Sequence, residues 1–153
     1  MAEPDAPIAG GCRCGAVRYE ASGETVYSLY CHCESCRRAT GGPVVAYLMY
    51  KEGQVQFIRG KRKVYDSSSG VRRTFCGDCG TPLTWEGVWG GRSVIEVFIS
   101  TLDDPNAFAP DRHVFHGEKI RWFDVADQLP RYRGSSTDAE PDSFEPDVDM
   151  IAE

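Results

Sequence analysis

The chain contains no apolar run approaching the roughly 18 residues a membrane-spanning helix needs, which argues against a helical membrane protein. Its start, MAEPDAPIAGG, has neither the basic flank nor the apolar stretch of an export signal, so the expected location is the cytoplasm. A nucleotide-binding glycine fingerprint, a Ser-His-Asp arrangement and an internal repeat are all missing. Histidine is scarce, with three residues, and basic residues are in deficit: 17 Lys and Arg against 23 Asp and Glu. The acidity is local. Seven acids (Asp138, Glu140, Asp142, Glu145, Asp147, Asp149 and Glu153) follow Arg133 with no compensating base, and residues 1–133 are left with 17 basic against 16 acidic groups. A body this close to neutral does not fit a general nucleic-acid binder. The expected organisation is one β domain over residues 1–133 and an acidic, unstructured tail over 134–153.

What the chain does have is cysteine. The seven are odd in number, so they cannot all pair within one chain, and a reducing compartment would leave them as thiols. They cluster as Cys12-Arg-Cys14, Cys31-His-Cys33-Glu-Ser-Cys36 and Cys76-Gly-Asp-Cys79. Between the clusters lie short runs rich in β-branched and aromatic residues. Strands are expected at Ala16–Ala21, Val26–Cys31, Val44–Tyr50, Val55–Ile58, Lys63–Asp66, Val71–Phe75, Pro82–Trp85 and Ser93–Ile99, with turn residues at the intervals expected of an all-β sandwich or barrel. Only Glu34–Ala39 reads as a helix, one or two turns long. Leu129-Pro130 is expected to close the folded part.

Side chains at i and i+2 of a strand share a face, so Cys12 can act with Cys14 and Cys31 with Cys33, while His32 turns away. Cys76-x-x-Cys79 fits a metal knuckle, with Gly77 and Gly80 permitting the tight turn. Seven sulfurs do not fill two tetrahedral sites. One economical partition gives Cys12, Cys14, Cys76 and Cys79 to one closed zinc and Cys31, Cys33 and Cys36 to another with a vacant position. Three thiolates make that second centre anionic and a poor activator of water, so a small substrate thiol is the expected fourth ligand. An iron–sulfur cluster on the Cys31-x-Cys33-x-x-Cys36 motif is a competing reading.

The remaining candidates have plainer expectations. His32 packs in the core or behind the ligands, and His113 and His116 lie in an apolar stretch without a matching ligand. Arg37 and Arg38 offset the anionic shell, meet a substrate carboxylate, or form an ordinary solvated pair. Arg59, Lys61, Arg62, Lys63, Arg72 and Arg73 form the outer face and loop of a hairpin, or a basic patch for an anionic ligand. Trp85, Trp89 and Trp122 belong to the core or a pocket wall.

The segments Gly10-Gly-Cys12-Arg-Cys14-Gly-Ala-Val17, Cys31-His-Cys33-Glu-Ser-Cys36-Arg-Arg-Ala-Thr-Gly41 and Phe75-Cys76-Gly-Asp-Cys79-Gly-Thr-Pro82-Leu resemble the glutathione-dependent formaldehyde-activating enzyme family, also described through its centromere protein V members. The resemblance extends from about Gly10 to Tyr132. It implies an Mss4-like all-β fold stapled by two zinc ions per chain, a structural one on Cys12, Cys14, Cys76 and Cys79 and a catalytic one on Cys31, Cys33 and Cys36. It further implies a carbon–sulfur lyase that joins glutathione, or another small thiol, to formaldehyde or a related aldehyde. The alternative is a non-catalytic zinc-binding β module that contacts a protein or nucleic acid.

Overall fold

Short apolar runs separated by glycine-containing turns give ten strands and one helix among residues 6–136, the part of the chain that the computed structural model describes. The tail expected to be unstructured lies outside the described residues from position 137 onward. Contacts divide the chain into two compact units, residues 6–28 with Ala46–Ala109, and Leu29–Val45 with residues 110–136.

In the first unit, β1 (Ile8–Gly11), β2 (Arg18–Ala21) and β5 (Val55–Arg59) form a small antiparallel sheet. The central strand places Tyr19 opposite Gly10 and Phe57, and the fully buried Tyr19 ring bonds through its hydroxyl to Thr101 Oγ1 at 2.7 Å. A second antiparallel series runs β4 (Val45–Lys51), β9 (Arg92–Phe98), β8 (Pro82–Trp89), β7 (Val71–Cys76) and β6 (Arg62–Ser68). β6 is an edge strand, and no ladder among the described residues closes the series into a barrel. Leu48 and Tyr50 of β4, Leu83 of β8, and Ile95 and Val97 of β9 meet Val17, Tyr19, Ala21 and Val55 in one buried cluster. The fold is therefore all-β, with a two-sheet core. Each such aliphatic side chain removed from water stabilises the unit by about 1.5–3 kcal/mol.

Of the basic run, Lys63 and Arg72 lie exposed on the β6–β7 hairpin as expected, while Arg59 ends β5 in the small sheet, opposite Arg18. Arg62 lies over the Phe57 ring, and Arg62 and Arg72 both pair with Glu86, whereas Arg73 is buried at 6% exposure. Adjacent residues of β7 point to opposite faces, so Arg72 stays in solvent while Arg73 turns to the covered face, where its Nε donates to Ser67 Oγ at 3.1 Å.

In the second unit, the end of β3 (Tyr27–Cys31) pairs in parallel with β10 (His113–Val114), placing His113 opposite Tyr30 and Val114 opposite Cys31. His113 also bridges to Arg131, so the chain continues as ordered structure past Leu129-Pro130: Arg131 is 1% exposed, and the Gly134 carbonyl accepts from the Phe115 amide. The helix α1 (Glu34–Thr40) starts from Cys33 and stops at Gly41, whose left-handed φ of 76° lets its amide reach the Arg37 carbonyl. The expectation for Trp122 is overturned. It is 69% exposed, because it stands in an irregular segment with no ladder to cover it and touches Phe123 edge-on.

Candidate metal centres

Cys12, Cys14, Cys76 and Cys79 converge in the first unit, with their sulfurs all within 4.8 Å of one another. Two of the separations, Cys12 to Cys14 and Cys14 to Cys76, are 3.6 and 3.8 Å. Four sulfurs bound to one ion at ~2.3 Å in a tetrahedron stand roughly 3.8 Å apart, so the donor set and its spacing suit a zinc ion.

The first pair converges for a different reason from the strand pleat expected. β1 ends at Gly11, and Cys12–Gly15 is a turn closed by the Gly15 amide on the Cys12 carbonyl (3.1 Å), with Gly15 at φ 81°. The second pair repeats the device: the Gly80 amide donates to the Cys76 carbonyl (2.9 Å), with Gly80 at φ 78°. An L side chain strains at either φ, which is why glycine follows both pairs.

Donors are already aimed at these sulfurs. The Val17 amide lies 3.2 Å from Cys12 Sγ and the Asp78 amide 3.4 Å from Cys76 Sγ. The Thr81 hydroxyl accepts from the Arg13 amide at 3.1 Å and is thereby left to donate to Cys79 Sγ, also 3.1 Å away. That hydroxyl, with the Thr81 amide behind it, pulls the exposed Cys79 thiol down to about 5.

Cys31, Cys33 and Cys36 form the other set, in the second unit, again with all sulfurs within 4.8 Å. Cys31 ends β3, Cys33 caps α1 by accepting the Cys36 amide on its sulfur (3.3 Å), and Cys36 is the buried residue of the helix. Two of the three, Cys31 and Cys33, resist ionisation. Cys31 is held well above the usual thiol range by its contacts with Cys33 and Cys36, then by burial. At Cys33 the Cys31 contact acts downward, but Cys36 and burial outweigh it and push the thiol up to about 11. Packed thiols of this kind become thiolates together only beside a cation, so this set also suits a metal.

Thus the structure brings together the two sets expected from the spacing, four and three. The arginines that follow Cys36 serve different ends. Arg37 spans the His32 carbonyl (Nε, 3.2 Å) and the Glu118 carbonyl (Nη2, 3.2 Å), while Arg38 is an exposed partner of Glu34 at 2.8 Å.

The sequence reading missed a buried histidine network. His32 and His113 are both fully buried, and His32 Nε2 lies 2.8 Å from His113 Nδ1. His113 Nε2 donates to the Asp127 carboxylate at 3.0 and 3.1 Å, and Arg131 Nη1 donates to the same carboxylate at 2.9 Å. His116, its ring edge-on to His32, approaches Asp124 at 3.5 Å. Burial lowers all three imidazoles, and His32, further disfavoured by its two histidine neighbours, is pushed down to about 3. Burial acts upward on Asp127, but its bonds from His113, Leu129 and Arg131 prevail and hold it below the usual carboxylate range. The imidazoles are neutral and the carboxylate ionised. None of the three belongs to either sulfur set.

No helix among the described residues is long and apolar enough to cross a membrane. A family model for the glutathione-dependent formaldehyde-activating enzyme matches residues 7–118. The chain is 36% identical over 74 residues to an uncharacterised lyase of Schizosaccharomyces pombe, covering 48% of this chain and 53% of the other. This match thus spans about half the length of the yeast protein. It is 25% identical over 128 residues to a putative glutathione-dependent formaldehyde-activating enzyme of Halomonas elongata, covering 77% of this chain and 80% of that one. A crystal structure of a Rhodobacter sphaeroides protein, 23% identical, shares the fold with a TM-score of 0.51, covering 65% of this chain and 94% of its own. With the family model matched over most of its length, the chain belongs to the glutathione-dependent formaldehyde-activating enzyme family.

Proposed function

We propose that the protein is a zinc-dependent enzyme of the carbon–sulfur lyase type, acting on adducts between a small thiol such as glutathione and formaldehyde or a related aldehyde. One observation carries the reading: among the described residues one set gathers four sulfurs and the other three. Four protein sulfurs complete a tetrahedral ion and make Cys12, Cys14, Cys76 and Cys79 the structural site. Zinc held by Cys31, Cys33 and Cys36 would keep one position for a substrate thiol and hold it as thiolate.

The protein's own residues place and stiffen that centre. The helix start aligns Cys33 and Cys36, and the Arg37 guanidinium ties the His32 backbone carbonyl to residue 118. In the synthetic direction the thiol sulfur bonds to the aldehyde carbon, the carbonyl π pair moves to oxygen, and the proton lost from sulfur ends on that oxygen. The sum is thiol plus aldehyde to S-hydroxymethyl thioether, and the reverse breaks the same carbon–sulfur bond. The family match and the relatives named as lyase and formaldehyde-activating enzyme support this class of reaction.

The experiment is direct. Zinc-loaded protein is mixed with formaldehyde and glutathione, cysteine or a small alkyl thiol, and adduct formation is followed against the protein-free rate. Acceleration with at least one thiol, lost in Cys36→Ser, supports the proposal. Protein-free rates with every thiol would overturn it.

A further inference from the structure

The residue between two of the three clustered thiols is gripped at every polar point but one. The His32 amide donates to the Val114 carbonyl (3.2 Å), its carbonyl accepts from Arg37, and its ring bonds to His113. The remaining atom, His32 Nδ1, is buried without a hydrogen-bond partner.

The direction of the ring bond follows from the far end of the chain of contacts. Asp127 takes bonds from Arg131 Nη1 and from the Leu129 amide, so it is an acceptor, and His113 Nε2 must carry the proton that faces it. A neutral His113 then has a bare Nδ1, which can only accept. His32 Nε2 supplies the proton across 2.8 Å, and His32 Nδ1 is left as a lone pair. Every polarity in the series is set by one carboxylate.

We propose that Asp127, His113 and His32 form a directed hydrogen-bond relay whose function is to hold residue 32, and with it the Cys31 and Cys33 sulfurs, in the geometry that binds a metal. His32 and His113 are positioning residues: they stand behind the ligands and supply none. The relay also explains why histidine, and not an apolar residue, occupies a fully buried position between two cysteines. A leucine would fill the space but could not be oriented by a carboxylate two residues removed along the relay. The inference rests on the reading of Cys31, Cys33 and Cys36 as a metal centre, and the test separates the two.

Zinc-loaded protein with ¹⁵N-labelled histidine is examined by NMR for the protonated nitrogen of each ring, and zinc is then withdrawn by a chromophoric chelator. The wild type should bind two ions and show His32 and His113 both protonated at Nε2. In His32→Leu the affinity of one ion should fall about 10- to 100-fold, as for other residues that orient ligands, while the second ion stays bound as before. His32→Gln, whose amide nitrogen can still donate to His113, should restore most of that affinity. Asp127→Asn, which can present an amide proton to His113 Nε2, should reverse the tautomers of both rings and weaken the same ion. A His32 ring protonated at Nδ1 in the wild type, or zinc held as tightly by folded His32→Leu as by the wild type, would overturn the relay. A wild type that binds a single ion at Cys12, Cys14, Cys76 and Cys79 would overturn the underlying reading instead.

Discussion

The Thr81 hydroxyl lies 3.1 Å from the Cys79 sulfur while accepting the Arg13 amide at the same distance, so one side chain links the two turns that carry the four-sulfur set. Thr81→Val keeps the shape and removes the donor. We expect the affinity of this site for zinc to fall at least several-fold, with Thr81→Ser close to wild type. Competition with a chelator of known affinity measures it.

The two sulfur sets should separate stability from activity. Under the proposed reading, zinc across residues 12–14 and 76–79 would tie distant parts of one unit, and its binding energy would be folding energy. Cys76→Ser, or removal of both ions by a strong chelator, should abolish cooperative thermal unfolding. Cys36→Ser should retain a cooperative transition, with a loss of about 1–3 kcal/mol from an imperfectly satisfied buried hydroxyl, and lose thiol–aldehyde activity. Circular dichroism melts of both variants decide it. Equal collapse would contradict the division of roles.

Arg131 offers a third check. It is 1% exposed and donates to Asp127, to the Leu129 and Val125 carbonyls, and at longer range to Asp124. Arg131→Met removes the cation but fills much of the space, leaving Asp124 and Asp127 with their histidine and backbone-amide partners but without a cation. Because these carboxylates retain some solvent, we expect a loss of about 3 kcal/mol, at the low end for a broken buried pair. Denaturant unfolding at neutral pH, with zinc present, gives the value.

The same network predicts acid sensitivity. His113 and His116 have folded pKa values below the ordinary 6.5, so in acid the unfolded chain takes up their protons first. The stability they contribute is whole above pH 6.5 and declines as the pH falls below it. Asp124 and Asp127, also held low, add a further loss as the pH falls below the ordinary carboxylate value. His116→Gln deletes one of these protons. It should flatten stability against pH below 6.5 by up to about 1.4 kcal/mol per pH unit, measured by denaturant unfolding at fixed excess zinc.

How far the sequence could be read depended on how local each feature is. Strands such as Val45–Lys51 and Arg92–Phe98 announce themselves by dense β-branched and aromatic residues, and the helix over Glu34–Thr40 by its contrast with its surroundings. Ile8–Gly11 was not legible, because half of it is glycine and its support comes from distant segments: the pairing with β2, the Gly10 bridge to Leu102 and the Asp103 amide on the Ala9 carbonyl (2.9 Å). The two residues of β10 carry no period at all. The cysteine sets were legible from spacing, yet the Cys12–Cys14 geometry comes from a turn that glycine permits. The histidine network stayed hidden because its partners, Asp124 and Asp127, are eight and fourteen residues further on in irregular chain. The left-handed Phe115 (φ 52°) also breaks the strand period that would otherwise separate His113 from His116.

The vacancy assigned to the three-sulfur centre can be seen directly in a crystal structure of the zinc-loaded protein grown with a small thiol, using anomalous scattering at the zinc edge. The account predicts two zinc peaks per chain, one enclosed by Cys12, Cys14, Cys76 and Cys79, and the other by Cys31, Cys33, Cys36 and the added sulfur. A fourth protein side chain on the second ion, or no ion there at all, would contradict it.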